Sequence, residues 1–305
     1  MNPPAVSLLS STYFNLLQTP NGGRSLFATK PIPADTLIHI SHSPCASVVY
    51  REFRKVVCAW CFGDKNQEES GWCITKGQGN GRERFCGEVC RDLWMADGAR
   101  CGGLRERVDK AIDAAVRRMN KSKAETGPDH STDDRLEITQ TTLDAAWIAA
   151  ESETAKISQL DEMELEIARF VSSALVQLHA ASVLQNAISG TSHEILALQQ
   201  NELPHTLQRP YILKTHIRIS QFLRAALSYI PEMRTYVSMN RDGNGWVRNI
   251  LGRDAGNSFG IWEQASDSYE RNQRDEEREM FGWGIWADAS FFNHSSYFLW
   301  CNRSL

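Results

Sequence analysis

Six of the eight cysteines fall between Cys58 and Cys101, a small part of the 305 residues. This cluster constrains the fold more than any other feature, because so polar and Gly-rich a stretch has no apolar core of its own. Cys58-Ala59-Trp60-Cys61 is a C-x2-C knuckle, a tight turn that aims two thiolates at one point. Cys86-Gly87-Glu88-Val89-Cys90 is a C-x3-C pair. If it is helical, its i,i+4 spacing sets both sulfurs on one face. Four thiolates from a turn and a helix make a closed tetrahedral Zn2+ site with Zn–S near ~2.3 Å. Such a site contributes on the order of 10–16 kcal/mol to a small fold.

Two other fates of the thiols carry less weight. Disulfides need an oxidising compartment, and the N-terminus lacks the basic region of a secretory signal. Isolated thiol burial would need a more apolar segment. Continuing from Cys90, Trp94, Asp97 and Cys101 fall at steps of four, three and four, on the same helical face. Cys73 and Cys101 remain as thiols, and Asp97 offers a carboxylate oxygen for a second metal.

The rest of the chain reads as one domain interrupted by this stretch. An apolar fraction of 42% supports a core. The net charge of −4, from 33 basic and 37 acidic residues, leaves no basic footprint for nucleic acid. No apolar run reaches the roughly 18 residues of a membrane span, so an intracellular location, nucleus or cytoplasm, is expected. A short helix or strand is expected around Leu8–Leu17. Gly22-Gly23 reads as a tight turn feeding a strand through Leu26-Phe27-Ala28. Pro31–Asp35 is a second turn, and Thr36-Leu37-Ile38-His39-Ile40 a second strand.

After the cysteines, Leu104, Val108, Ile112, Ala115 and Met119 mark an amphipathic helix. Asn120–Gln140 is polar and expected as an exposed loop. Leu143, Trp147 and Ala150 begin another helical pattern. Met163, Ile167, Phe170, Ala174 and Leu178 keep one face of the strongest helix, and Tyr211–Leu227 forms a further one. The β character returns with Ile250–Gly256 leading into Asn257–Trp262. Asp267–Glu279 is a charge run expected as a solvated loop. Phe281-Gly282-Trp283-Gly284-Ile285-Trp286 reads as a strand whose glycines leave room for a close neighbour.

The cysteine order resembles the MYND zinc finger, with Cys58, Cys61, Cys86 and Cys90 at its first site and Phe85 as the aromatic before the fifth cysteine. Its second site departs, since Cys73 lacks a C-x2-C partner and Asp97 stands for the histidine before Cys101. Ser25-Leu26-Phe27-Ala28 and Ile32-Pro33-Ala34-Asp35-Thr36-Leu37-Ile38 resemble the opening of a SET domain. Asn257-Ser258-Phe259 and Asn293-His294-Ser295 resemble its later signature. The whole is similar to a fungal-type SET and MYND protein. That implies an α+β chain, a split SET β fold interrupted by the finger and a helical insert. The expected divisions are 1–57 and 236–305 for the two SET parts, 58–101 for the finger and 102–235 for the insert.

The resemblance further implies a protein-lysine N-methyltransferase that uses S-adenosyl-L-methionine and Zn2+, with histones among its acceptors. Gly22, Gly23, Arg24, Asn293 and His294 would hold the cofactor, and Ser258, Phe259 and Ser290 would line the lysine channel. Taken without the family, Asn293 and His294 read as turn residues satisfying backbone groups and Phe259 as core. MYND fingers also bind proline-containing peptides, so a non-catalytic, zinc-dependent interaction module is the competing expectation. After Ser296 the family's Cys-x-Pro-Asn, closing strands and tyrosine have no counterpart, and the expectation is a C-terminally truncated chain with impaired transfer.

Overall fold

A computed structural model describes residues 12–19, 23–41, 43–64, 73–74, 83–100, 102–121, 137–153, 159–185, 194–263 and 278–292. The chain opens with an antiparallel pair, β1 (Phe14–Thr19) and β2 (Gly23–Ala28), in register from Phe14 opposite Ala28 to Thr19 opposite Gly23. Gly23 takes a φ of +69°, and Thr19 Oγ1 donates to its carbonyl at 2.8 Å. The strand expected at 36–40 does not form. Thr36 turns back instead, donating from N and Oγ1 to the Pro33 carbonyl at 3.4 and 2.8 Å. Strand propensity needs a partner to express itself, and among the described residues none pairs with this run. β3 (Ala46–Val49) follows, then the short pair β4 (Cys73–Ile74) and β5 (Arg84–Phe85), and α1 (Glu88–Arg100).

Helices then build the body. α2 (Leu104–Lys121) buries the stripe Leu104, Val108, Ile112, Ala115 and Met119. α3 (Gln140–Ser152) is opened by Thr139 and Thr142, whose side chains each bond the other's backbone N–H. α4 (Glu162–Gln185) begins with the same reciprocal bonding between Asp161 and Glu164, which satisfies two otherwise orphaned donors. It runs through the centre with Phe170, Val171, Ala174 and Leu175 buried, each of the larger side chains contributing about 1.5–3 kcal/mol. α5 (Glu202–Gln208), α6 (Tyr211–Leu227) and α7 (Arg234–Val237) close around it.

The sequence suggested β character at 250–256, but α8 (Trp246–Asp254) is a helix. Val247, Ile250 and Leu251 are buried at helical spacing, and this face decides for a helix despite Gly252. A Cβ at Gly252 would come within 2.5 Å of Gln200 Nε2, so the Gln200 side chain would have to move to admit one.

β6 (Phe259–Trp262) and β7 (Met280–Ile285) complete an antiparallel sheet of order β3-β7-β6. Ala46 through Val49 lie opposite Ile285 through Gly282, so a strand before the cysteines pairs with one near the far end of the sequence. Among the described residues the open edge of β3 is covered by side chains rather than another strand. Ser173 Oγ on α4 accepts from Ser47 N at 3.0 Å and donates to its carbonyl at 2.9 Å. Arg54 Nε donates to the Val49 carbonyl at 2.9 Å. Covering an edge in this way removes a template for aggregation.

Gly282 faces this pairing with no space to spare. A Cβ there would lie 2.1 Å from the Val48 carbonyl oxygen. Gly282→Ala is therefore expected to lower unfolding free energy by about 1–3 kcal/mol or more through overpacking. Gly98→Ala, with nothing within 4 Å of the added carbon, should be neutral or slightly stabilising in a helix. Urea unfolding of both variants checks the contrast, and equal midpoints would refute it.

Candidate functional site

The four expected zinc ligands meet. Cys58 N donates to the Gly63 carbonyl at 2.8 Å and Phe62 N to the Cys58 carbonyl at 3.0 Å, closing the knuckle, with Phe62 in a left-handed conformation. Ala59 N donates to the Arg84 carbonyl at 2.8 Å, pinning the knuckle to β5. Cys86 follows β5 directly, and Cys90 lies in the first turn of α1. Cys86 thus precedes the helix rather than sharing it, but the outcome is the same. All four Sγ atoms lie within 4.8 Å of one another.

Cys61 Sγ and Cys86 Sγ are 3.6 Å apart, and Cys86 Sγ and Cys90 Sγ 3.5 Å. A tetrahedron with ~2.3 Å Zn–S bonds has edges of roughly 3.8 Å, whereas a disulfide needs about 2.05 Å. The spacing fits a zinc ion. The hydrogen bond with Cys58, followed by burial, raises the pKa of Cys61, and burial followed by the Cys86 bond pushes Cys90 up to about 12. The bond from Cys61 lowers Cys58 to about 5.

For the expected second metal, only part is described. The backbone of Cys73 pairs opposite Phe85, and Cys101 lies outside the described residues. Asp97 Oδ2 accepts from Arg105 at 2.5 Å and from Gln177 at 3.4 Å, so its carboxylate is engaged by the helical body.

A second junction gathers residues far apart in sequence. Gly23 sits where a Cβ would be 3.7 Å from Gln199 Oε1. Arg24 donates to the Ala197 carbonyl, and its guanidinium lies 5.1 Å from the centre of the Phe291 ring. Asn257 Nδ2 donates to the Gln199 carbonyl at 3.0 Å, and Ser290 Oγ to the Asn257 carbonyl at 2.9 Å. The junction is braced from outside. His39 Nε2 and Ser41 Oγ both reach Asp288, at 2.7 and 2.8 Å, and the Phe14 ring meets Phe292 edge-on at 5.5 Å. Gly22, Asn293, His294 and the segment Ser295–Leu305 lie outside the described residues.

Ser258 stands slightly apart, on a hollow of about 390 Å³ shared with Tyr50, Ile167, Leu251, Met280 and Trp283. Its Oγ donates to the Asp254 carbonyl at 2.9 Å. Burial raises the Asp254 carboxyl to about 6, against the bonds from Ser258 and Trp283. Burial also lowers His216, on the same hollow, to about 3. Phe259 is half-buried, 6.3 Å from the Trp286 ring.

Two participants carried little sequence signal. Asn257 was marked only as the first residue of the Asn-Ser-Phe resemblance, with no role of its own. Gln199 sits in the helical segment, where no motif marks it.

No family model matches the chain. It is 26% identical over 335 residues to a Saccharomyces cerevisiae protein described as "Potential protein lysine methyltransferase SET6", across 97% of this chain and 80% of that protein. Among the described residues no helix is long and apolar enough to cross a membrane.

Proposed function

We propose that this chain is a SET-type protein-lysine N-methyltransferase that uses S-adenosyl-L-methionine and carries a MYND-type zinc finger. The meeting of Gly23, Arg24, Gln199, Asn257 and Ser290 carries this reading, and the similarity to the yeast protein supports it. The cofactor's sulfonium would supply an electrophilic methyl group. Arg24 offers positive charge beside a carbonyl-bearing wall, which suits the carboxylate and ammonium of an amino-acid moiety. Gly23, having no side chain, keeps the approach to Gln199 open. The hollow at Ser258 receives the acceptor lysine. Its Ile167, Leu251, Met280 and Trp283 walls favour a neutral amine through desolvation, set against the Asp254 carboxyl on the same hollow, which when ionised favours the ammonium. Alignment of amine and methyl then supplies most of the barrier reduction.

Protein lysines are the acceptors, with histones the first to test. The finger offers Val89 and Leu93 exposed on α1 as ground for a proline-containing peptide. Binding of S-adenosylhomocysteine by calorimetry, together with labelled methyl transfer to histones, tests the reading. Asn257→Ala is expected to weaken cofactor binding about tenfold or more and to lower transfer in step. A zinc-loaded, folded chain that binds no cofactor would overturn it and favour the non-catalytic interaction module.

A further inference from the structure

The seam between finger and helical body holds charges that methyl transfer does not use. A cleft of about 270 Å³ opens there, walled by Trp60 and Glu83 of the finger, Trp94 on α1, Asp109 on α2 and Ser173 on α4. Three arginines line it, and each already has a carboxylate. Arg105 is paired with Asp97 at 2.5 Å, Arg169 with Asp113 at 2.8 Å, and Arg54 with Glu166.

Two carboxylates are left over. Glu83 Oε2 is occluded from solvent and, among the described residues, has no hydrogen-bond partner. Asp109 is half-buried in the cleft wall, with Arg169 and Arg105 nearby but both committed elsewhere. Burial raises its pKa to about 6, and the Glu83 charge pushes the same way. An occluded acceptor without a donor is destabilising, and more so if it is charged. A ligand bringing positive charge and N–H donors would offset that cost.

An anion would meet two unpaired carboxylates. A bare metal ion would leave most of the space empty, since one water occupies only about 30 Å³. A long side chain with a cationic end fills the volume, and Trp60 lines the cleft where a cation gains from an aromatic neighbour, beside a Trp94 ring that already carries the Arg105 guanidinium 5.5 Å from its centre. We propose that this cleft binds the ammonium or guanidinium end of a lysine or arginine presented by a partner protein. None of the residues at the Gly23–Asn257–Ser290 junction lines it, so the inference stands whether or not the chain transfers methyl groups.

The test uses the full zinc-loaded chain. The indole N–H resonances of Trp60 and Trp94, assigned by Trp→Phe variants, are followed while acetyl-Gly-Lys-Gly-amide or acetyl-Gly-Arg-Gly-amide is added. The uncharged norleucine tripeptide serves as control. Saturable shifts of both indoles with the charged peptides, and none with norleucine, are expected. Glu83→Gln with Asp109→Asn should weaken binding about tenfold or more, at unchanged zinc content and thermal midpoint. Equal shifts with norleucine, unmoved indoles at millimolar charged peptide, or parental affinity in the double variant would overturn the proposal. The norleucine comparison needs no carboxylate variant, so it decides even if the double variant fails to fold.

Discussion

Replacing Cys86 by serine is expected to strip zinc from the finger and to unfold residues 58–64 and 83–100. Cys86 sits in the middle of the cluster, 3.6 Å from Cys61 and 3.5 Å from Cys90. Without it three thiolates remain, and water enters the open position. The finger has little else to hold it. Phe85 is fully buried against Trp94, with ring centres 5.5 Å apart, and a buried aromatic contributes only about 1.5–3 kcal/mol. The metal contributes on the order of 10–16 kcal/mol. The main apolar core runs through Leu104, Trp147, Phe170 and Phe222, outside the finger, so the helical body should keep its melting transition.

Metal analysis should give at least one zinc per parent chain and none at this site in Cys86→Ser, with Cys58, Cys61 and Cys90 freely alkylated. Cys73→Ser should lose less. Because Cys61 and Cys90 hold their protons without metal, loading should release protons, and zinc affinity should rise with pH. A parent chain with less than one zinc and alkylatable thiols would end the metal reading.

The second large effect lies in the body, at Arg248. Its side chain is buried and meets Glu202 through Nε at 2.9 Å and Nη2 at 2.7 Å. Nη1 donates to the Gly243 carbonyl at 3.0 Å and Nη2 to Asp144 at 2.6 Å. Trp147 Nε1 donates to the same Glu202 at 2.6 Å. Burial pulls the guanidinium pKa down, but Glu202 and Asp144 outweigh it and the net shift is upward. This knot ties α3, α5 and α8 together.

Arg248→Met leaves the Glu202 carboxylate buried with one neutral donor, and a loss of about 3–5 kcal/mol in unfolding free energy is expected. Adding Glu202→Gln should recover part of it, because the stranded charge is gone. Chemical denaturation of both singles and the double measures the coupling. A single-variant loss below about 1 kcal/mol, or simple additivity, would show that the network is not what holds these helices.

The spacing of Cys58, Cys61, Cys86 and Cys90 was enough to foresee the sulfur cluster, since a knuckle and a helix start each place two thiols through local geometry. The helices over 104–119 and 163–178 were equally legible, because a 3.6-residue stripe depends only on near neighbours. Tyr211–Leu227 emerged with the bounds its pattern suggested. The junction residues were legible only through the family resemblance, and Gln199 not at all.

What the tertiary structure decided has a common cause. Whether 36–40 becomes a strand depends on a partner elsewhere in the chain, and a run of β-formers cannot report that. Residues 246–254 became a helix because Val247, Ile250 and Leu251 found a core to face, overriding a stretch that locally read as β. No sequence pattern marks Arg248, and only in the fold do Glu202, Asp144 and Gly243 close around it from three other segments. Gly282 hinted at a close neighbour, but only the pairing identified it as the Val48 carbonyl. Spacing and period are properties of adjacent residues; pairing, burial of charge and the meeting of distant loops belong to the folded chain alone.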